Sequence, residues 1–185
     1  MSAFVALLRA VNLAGKNSVG MADLREVASG LGLGDVRSLL QSGNLVFTAG
    51  ERSSAALERA LADATRDQLG VETDYFVRSA DEWRTAIEAN PFPQEAGSDP
   101  GRLLLVCLAK APTRESMDAL EKAITGSERV RAEGRHLYAV YPEGVGRSRL
   151  TMALIEKKLG TRGTGRNWNT VLKLGGAVGS LDETT

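Results

Sequence analysis

Apolar positions along this chain follow two alternating rhythms. The first run, Phe4 to Ala10, is apolar almost throughout until Arg9 and predicts a strand. Met21, Leu24, Val27 and Leu31 then fall three or four apart and predict a helix over 21–31. Its acids, Asp23 and Glu26, sit in the first turns, where the helix dipole favours them. Val36–Gln41 and Leu45–Thr48 predict two short strands joined through Ser42-Gly43-Asn44, residues that tolerate a hairpin turn. Leu57, Ala60, Leu61 and Ala64 share one face of a helix over 54–69, and Thr73–Arg78 predicts another strand. The order is βαββαβ, the ferredoxin-like rhythm.

The pattern then changes. Ser79-Ala80-Asp81-Glu82 spells a capping box, opening a helix with Trp83 and Ile87 one turn apart that stops at Asn90-Pro91. Residues 91–101 carry Pro93, Gly97, Ser98 and Pro100 and predict a loop or linker. Arg102–Ala109 predicts a buried strand, Pro112-Thr113 a helix start followed by Met117, Leu120 and Ile124 on one face, and 130–132 and 136–141 a strand pair turned at Glu133-Gly134-Arg135. Helices are predicted over 148–159 and 167–174. The second half thus reads βαββα plus a C-terminal helix. The expected fold is α+β: a ferredoxin-like subdomain over 1–78, a helix and linker over 79–101, and a second α+β subdomain over 102–185.

Composition narrows the function classes. A charged fraction of 25% and a hydrophobic fraction of 43% are those of an ordinary globular protein. The one cysteine, Cys107, lies within the apolar run Leu103–Leu108 and reads as a buried strand thiol. The N-terminus lacks a basic segment before its apolar run, so a signal peptide is not expected, and no apolar run has membrane-spanning length. A cytoplasmic location is the expectation, with no membrane partner. The net charge of zero hides an asymmetry. Residues 51–100 hold 11 acidic and 5 basic side chains, whereas 144–173 hold 7 basic and one acidic. The basic stretch favours an anionic partner, and because the whole chain is not basic, a small anion is favoured over a long nucleic acid.

Three loops concentrate chemistry. After the first strand come Arg9, Asn12, Lys16 and Asn17, with no acid among them. Between a strand and a helix lies Tyr141-Pro142-Glu143-Gly144-Val145-Gly146-Arg147-Ser148-Arg149, whose glycines and expected helix start suit an anion but whose spacing is not that of a phosphate-binding P-loop. Ser148 reads as a helix cap or a ligand donor. Near the C-terminus, Arg166-Asn167-Trp168-Asn169 combines a cap (Asn167), a core ring (Trp168) and two candidate contacts, Arg166 and Asn169. With Gln41 and Asn44 from the hairpin, the candidate ligand-binding set is Arg9, Asn12, Lys16, Asn17, Gln41, Asn44, Ser148, Arg149, Arg166 and Asn169. No metal-ligand spacing and no nucleophile with an adjacent base is legible, so no cofactor, metal or catalytic residue is assigned. The single His136 reads as a surface residue, and Glu143 is the acid nearest a candidate site in sequence.

Several of these segments together resemble a known bacterial family. They are Leu7-Leu8-Arg9 with Asn12 and Gly15-Lys16-Asn17, Met21, Gln41-Ser42-Gly43-Asn44, Asn90-Pro91-Phe92, Tyr141-Pro142 with Gly144, Gly146 and Ser148, and Arg166-Asn167-Trp168-Asn169-Thr170-Val171 with Lys173-Leu174. In this order they are similar to the family named domain of unknown function 1697, over nearly the whole chain. The resemblance implies a two-subdomain α+β fold with a ferredoxin-like first half, and no established activity, cofactor or catalytic residue. Ala10, Gly20 and Arg149 stand where the family pattern has glycine, proline and lysine.

Three functions compete at this level. The first is binding of a small anionic or phosphorylated ligand, a nucleotide among the options, at a cleft between subdomains. The second is a single-stranded nucleic-acid module, which would need Phe4 and Phe47 to offer their rings to bases. The third is a non-catalytic interaction or structural domain in which the polar motifs satisfy buried backbone groups.

Overall fold

The first apolar run forms strand β1 (Ser2–Leu8), an inner strand of its sheet. Its even positions Phe4, Ala6 and Leu8 enter one core, while Ala3, Val5 and Leu7 on the opposite face are also fully buried. Burial on both faces is why the run shows no polar alternation. The computed structural model describes residues 1–9 and 19–183. It divides into two compact units, Met1–Thr85 with Lys173–Thr185, and Ala86–Leu172.

In the first unit β1 is followed by α1 (Met21–Gly30), β2 (Gly34–Leu39), β3 (Asn44–Ala49), α2 (Ser54–Leu69) and β4 (Tyr75–Ser79). The strands order β2-β3-β1-β4, every neighbour antiparallel. Leu24 and Ala28 of α1 and Leu57 and Leu61 of α2 cover one face, against Leu45, Phe47, Tyr75 and Val77. Each such large apolar side chain contributes roughly 1.5–3 kcal/mol when fully buried. Helix α2 occupies the expected residues because both ends are marked. The Ser53 hydroxyl accepts the Ala56 N–H at 3.2 Å, and Gly70 stops the helix at φ 67°. Phe4 and Phe47 stack on each other inside this core, ring centroids 5.9 Å apart. They offer no surface on which a base could stack.

The capping box forms as expected. Ser79 N–H donates to Glu82 at 2.8 Å and Glu82 N–H to the Ser79 hydroxyl at 3.1 Å, opening α3 (Ala80–Glu88). The stretch expected to be loop holds a short helix, α4 (Pro93–Ser98), with Pro93 at a helix start, where a missing N–H costs nothing.

The second unit contains β5 (Leu103–Leu108), α5 (Arg114–Ala123), β6 (Arg129–Glu133), β7 (His136–Val140), α6 (Met152–Leu159) and β8 (Gly163–Asn167), and α7 (Trp168–Asp182) begins within it. Its strand order, β6-β7-β5-β8, is again antiparallel throughout. Leu120 of α5 and Ile155 and Leu159 of α6 pack on Val106, Leu108, Leu137 and Ala139.

Three expectations for this half are corrected. The second half is βαββαβ, not βαββα, because β8 completes the sheet. Gly163 and Gly165 hide it from a hydrophobic pattern, and they are there because side chains of β5 lie across them. A Cβ on Gly163 would sit 2.9 Å from Leu108 Cδ2 and 3.1 Å from the Cys107 carbonyl oxygen. Helix α6 starts at Met152 rather than Ser148, since Thr151 is the residue whose hydroxyl accepts an N–H of the first turn, from Leu154 at 3.2 Å. Helix α7 runs on to Asp182, through Gly175, Gly176 and Gly179, which weaken a helix without ending it.

The two sheets match position for position. Leu8 N–H bonds to the Gly43 carbonyl and Leu108 N–H to that of Arg135, while Arg9 N–H bonds to Asp74 and Ala109 N–H to Arg162. Leu7 opposite Asn44 corresponds to Cys107 opposite His136, and Val5 opposite Arg78 to Leu105 opposite Arg166. Gly70 and Gly160 end α2 and α6 in the same left-handed conformation.

Candidate functional site

The structure gives four of the ten sequence-predicted residues, Arg9, Asn44, Ser148 and Arg166, side-chain partners close by. Arg9 leaves β1 half-exposed and pairs with Asp74 at 3.6 Å, and its carbonyl accepts the Thr73 hydroxyl at 3.1 Å. Asn12, Lys16 and Asn17 lie outside the described residues. Asn44 is fully buried and donates from Nδ2 to the Leu39 carbonyl at 3.0 Å and to the Ser42 hydroxyl at 2.8 Å, closing the hairpin from inside. Gln41 is exposed beside it. Asn44 therefore acts on its own turn, the commonest work of a buried amide.

The glycine loop before α6 is likewise occupied by its own groups. Val145–Arg147 form a short 3-10 turn. Ser148 donates to the Glu128 carboxylate and accepts the Leu150 N–H at 3.0 Å. A carboxylate on Ser148 repels an incoming anion. Arg149 is exposed and its carbonyl accepts the Thr151 N–H at 2.9 Å. Tyr141 donates to the Leu150 carbonyl at 3.0 Å from beneath the loop, and burial, with Glu128 adding, pushes its phenol up to about 12.

At the C-terminal motif, the Asn167 side chain accepts the Thr170 N–H at 3.1 Å, the expected cap. Trp168 is buried with its ring 6.4 Å from that of Tyr138. Asn169 is exposed. Arg166 donates to the Thr164 hydroxyl and the Gly165 carbonyl, both at 2.9 Å. It lies on the face of its sheet opposite α5 and α6, where desolvation lowers its guanidinium to about 10, with Cys107 acting in the opposite direction. Cys107 is fully buried, as expected, and the register sets His136 directly opposite it, a neighbour that sequence distance conceals.

A grouping that sequence reasoning missed lies at the other end of α6. The chain leaves β5 at Ala109-Lys110, α6 ends at Gly160, and Thr161-Arg162 leads into β8. Together they border a hollow of about 600 Å³. Among the described residues, Lys110, Lys157 and Arg162 line it with one acid, Glu156, whose carboxylate accepts the Gly163 N–H at 3.1 Å. Thr161 fixes the rim by accepting the Lys110 N–H at 3.1 Å. Neither the Lys110 nor the Lys157 side chain is ion-paired among the described residues. Lys157 and Lys158 lie in the last turn of α6, where they oppose the partial negative charge of its carbonyl end. The basic balance of 144–173 announced Lys157 and Arg162. Lys110 comes from a different segment and is joined to them only by the fold.

The matching position in the first unit carries the opposite charge. Counting back from the terminal glycines, Ala153, Glu156 and Lys157 of α6 correspond to Asp63, Arg66 and Asp67 of α2, and Arg162 corresponds to Asp74. There Arg66 is shared between Asp63 at 3.0 Å and Asp67 at 3.3 Å, and Arg9 is held by Asp74. The fold therefore tolerates either sign at this end.

Residues 1–138 match the family described as Protein of unknown function (DUF1697). The chain belongs to that family. No protein of curated function matches it. Among solved structures it is similar to the conserved bacterial protein SP0830 from Streptococcus pneumoniae, with 22% identity and a TM-score of 0.74, over 96% of this chain and 98% of that one. At that identity the likeness to SP0830 speaks for the family's fold and not for its chemistry. Among the described residues, no helix is long and apolar enough to cross a membrane, and no group of three His, Cys, Asp or Glu side chains could hold a metal ion.

Proposed function

We propose that the second unit binds a small anionic, phosphorylated ligand in the hollow at the C-terminal end of α6, and that it does so in the cytoplasm. The observation that carries this reading is the convergence of Lys110, Lys157 and Arg162 on one hollow whose only lining acid among the described residues is Glu156. Arg162 supplies a planar fork matched to phosphate oxygens, and the two lysines supply mobile point charges. The reversed charge at the matching end of the first unit supports it further. A cluster that the fold does not require is better explained by something it binds. Calorimetric titration of the whole chain with pyrophosphate tests it. Saturable binding should weaken at least tenfold in Lys110→Ala and Lys157→Ala, whose exposed side chains can be removed at a stability cost of no more than about 1 kcal/mol. Absence of binding at millimolar pyrophosphate, or binding indifferent to both substitutions, would remove the proposal.

A second reading, an interaction or structural domain, is favoured by a different observation. The Asn44, Ser148 and Asn167 side chains are each absorbed by backbone or side-chain partners of their own segment or unit. It is the reading left standing if the titration fails.

A further inference from the structure

We infer that the ligand of this hollow is a phosphorylated sugar or polyol rather than a nucleotide read through its base. The inference rests on the anion-binding reading above and deepens it. A phosphate group is five heavy atoms, comparable in bulk to a few waters at about 30 Å³ each. It leaves most of a hollow of about 600 Å³ to be filled by whatever carries it. The hollow is open to solvent along one side, so the carrier of the phosphate lies along its floor rather than inside it.

The lining decides the chemistry of that remainder. Among the described residues around the hollow none is aromatic, and its one planar group, the Arg162 guanidinium, is the group best suited to the phosphate itself. Proteins hold bases by stacking them on aromatic rings and by hydrogen-bonding their edges. The hollow offers instead Ala109, Ala153 and Gly160 as a smooth low wall, and the Glu156 carboxylate with the Thr161 hydroxyl as oxygen groups. Carboxylates and hydroxyls are the partners of sugar hydroxyls. The cations are the groups that suit the phosphate, and the oxygen groups those that suit the carbon chain.

Four probes separate the possibilities on the whole chain: inorganic phosphate, ribose 5-phosphate, adenosine monophosphate and adenosine. Ribose 5-phosphate is expected to bind at least tenfold tighter than inorganic phosphate. Adenosine monophosphate should fall within about fivefold of ribose 5-phosphate, because its base finds no aromatic ring to stack on, and adenosine should not bind. Ala153→Leu, an exposed helical site where leucine is nearly as good a helix former, is expected to weaken ribose 5-phosphate at least tenfold and inorganic phosphate less than threefold. Adenosine monophosphate binding more than tenfold tighter than ribose 5-phosphate would overturn the inference while leaving the anion site intact. Equal affinity for inorganic phosphate and ribose 5-phosphate, or equal loss of both in Ala153→Leu, would overturn it too. Failure of every phosphorylated probe and of pyrophosphate would sink both readings together.

Discussion

Arg78 and Arg166 hold the same place in two different sheets. Arg78 lies opposite Val5 on β4, Arg166 opposite Leu105 on β8, and each turns Nη1 back to the carbonyl of the residue before it, at 2.8 and 2.9 Å. Their electrostatic settings differ. Arg78 is 1% exposed and faces Glu58 at 3.5 Å, whereas desolvation dominates at Arg166. Removing Arg78 strands the Glu58 carboxylate, whereas removing Arg166 takes a donor from the Thr164 hydroxyl and the Gly165 carbonyl. Arg78→Met is therefore expected to lower unfolding free energy by roughly 2–4 kcal/mol and Arg166→Met by a smaller amount, roughly 1–2 kcal/mol. Chemical denaturation of the two variants checks it, and equal losses would show the two arginines to be energetically equivalent.

Strand β8 depends on glycines in different degrees. A Cβ at Gly163 meets the backbone oxygen of Cys107 and side chains on both sides, and backbone cannot step aside. A Cβ at Gly165 meets Leu104 Cδ2 at 3.2 Å and Met152 Cε at 3.3 Å, both flexible ends. Gly163→Ala should cost about 2–3 kcal/mol and Gly165→Ala about 1 kcal/mol or less. Gly176 in α7 has nothing within 4 Å of a Cβ, so Gly176→Ala should add about 0.5–1 kcal/mol. Thermal melts should rank the three in that order, and a Gly163→Ala protein as stable as the parent would contradict the packing of β8 on β5.

The β2–β3 hairpin stores strain. Leu40 sits at φ 60° with half of its surface exposed, a conformation that costs a leucine about 1–2 kcal/mol. Asn44, through the Leu39 carbonyl and Ser42, holds the turn in place. Leu40→Asn should stabilise the protein by about 0.5–1 kcal/mol, since asparagine accepts this region more readily. Asn44→Ala should destabilise it by about 1–3 kcal/mol through the carbonyl it leaves unmet. Opposite signs for the two variants are the result that supports this account.

How much of this was legible follows from what each segment had to signal. Helix α2 was legible to the residue because periodicity, the Ser53 cap and the Gly70 stop agree. The start of α6 was not, since Ser148 and Thr151 are both capping types, and only the fold shows Ser148 engaged by Glu128. Strand β8 was invisible because its inner positions are glycines that make room for β5, which erases the alternation a strand normally shows. The hollow was hardest, because Lys110, Lys157 and Arg162 are separated along the chain and only chain reversal brings them to one rim. Asn44 was expected as a ligand contact, and the structure shows its amide holding the Leu39 carbonyl and the Ser42 hydroxyl. A buried amide announces that something is held, and sequence does not say whether that is a ligand or the chain itself.

The tyrosines make the protein's alkaline behaviour predictable. The chain has three, and all are shifted upward. Burial raises Tyr75, with its bond to Thr65 acting the other way. Burial pushes Tyr138 and Tyr141 up to about 12, nearby Cys107 and Glu133 adding for the first and Glu128 for the second. A phenol that holds its proton longer in the folded state contributes stability that is complete below the unfolded value near 10. That stability is lost as pH rises through the folded value. For Tyr138 and Tyr141 the loss spans about pH 10 to 12 and amounts to roughly 3 kcal/mol each. Arg166 works against it, because its lowered guanidinium sheds a proton in the folded state first, so net stability should fall less steeply than the tyrosines alone dictate. Absorbance at 295 nm provides the readout. At pH 10.5 Tyr138 and Tyr141 should stay almost wholly protonated, so that the folded protein shows at most one side chain's worth of tyrosinate, whereas the same chain in guanidinium chloride should show more than half of all three. In Arg166→Met the alkaline loss of stability should steepen, and a folded protein titrating near pH 10 would mean that Tyr138 and Tyr141 are reached by solvent.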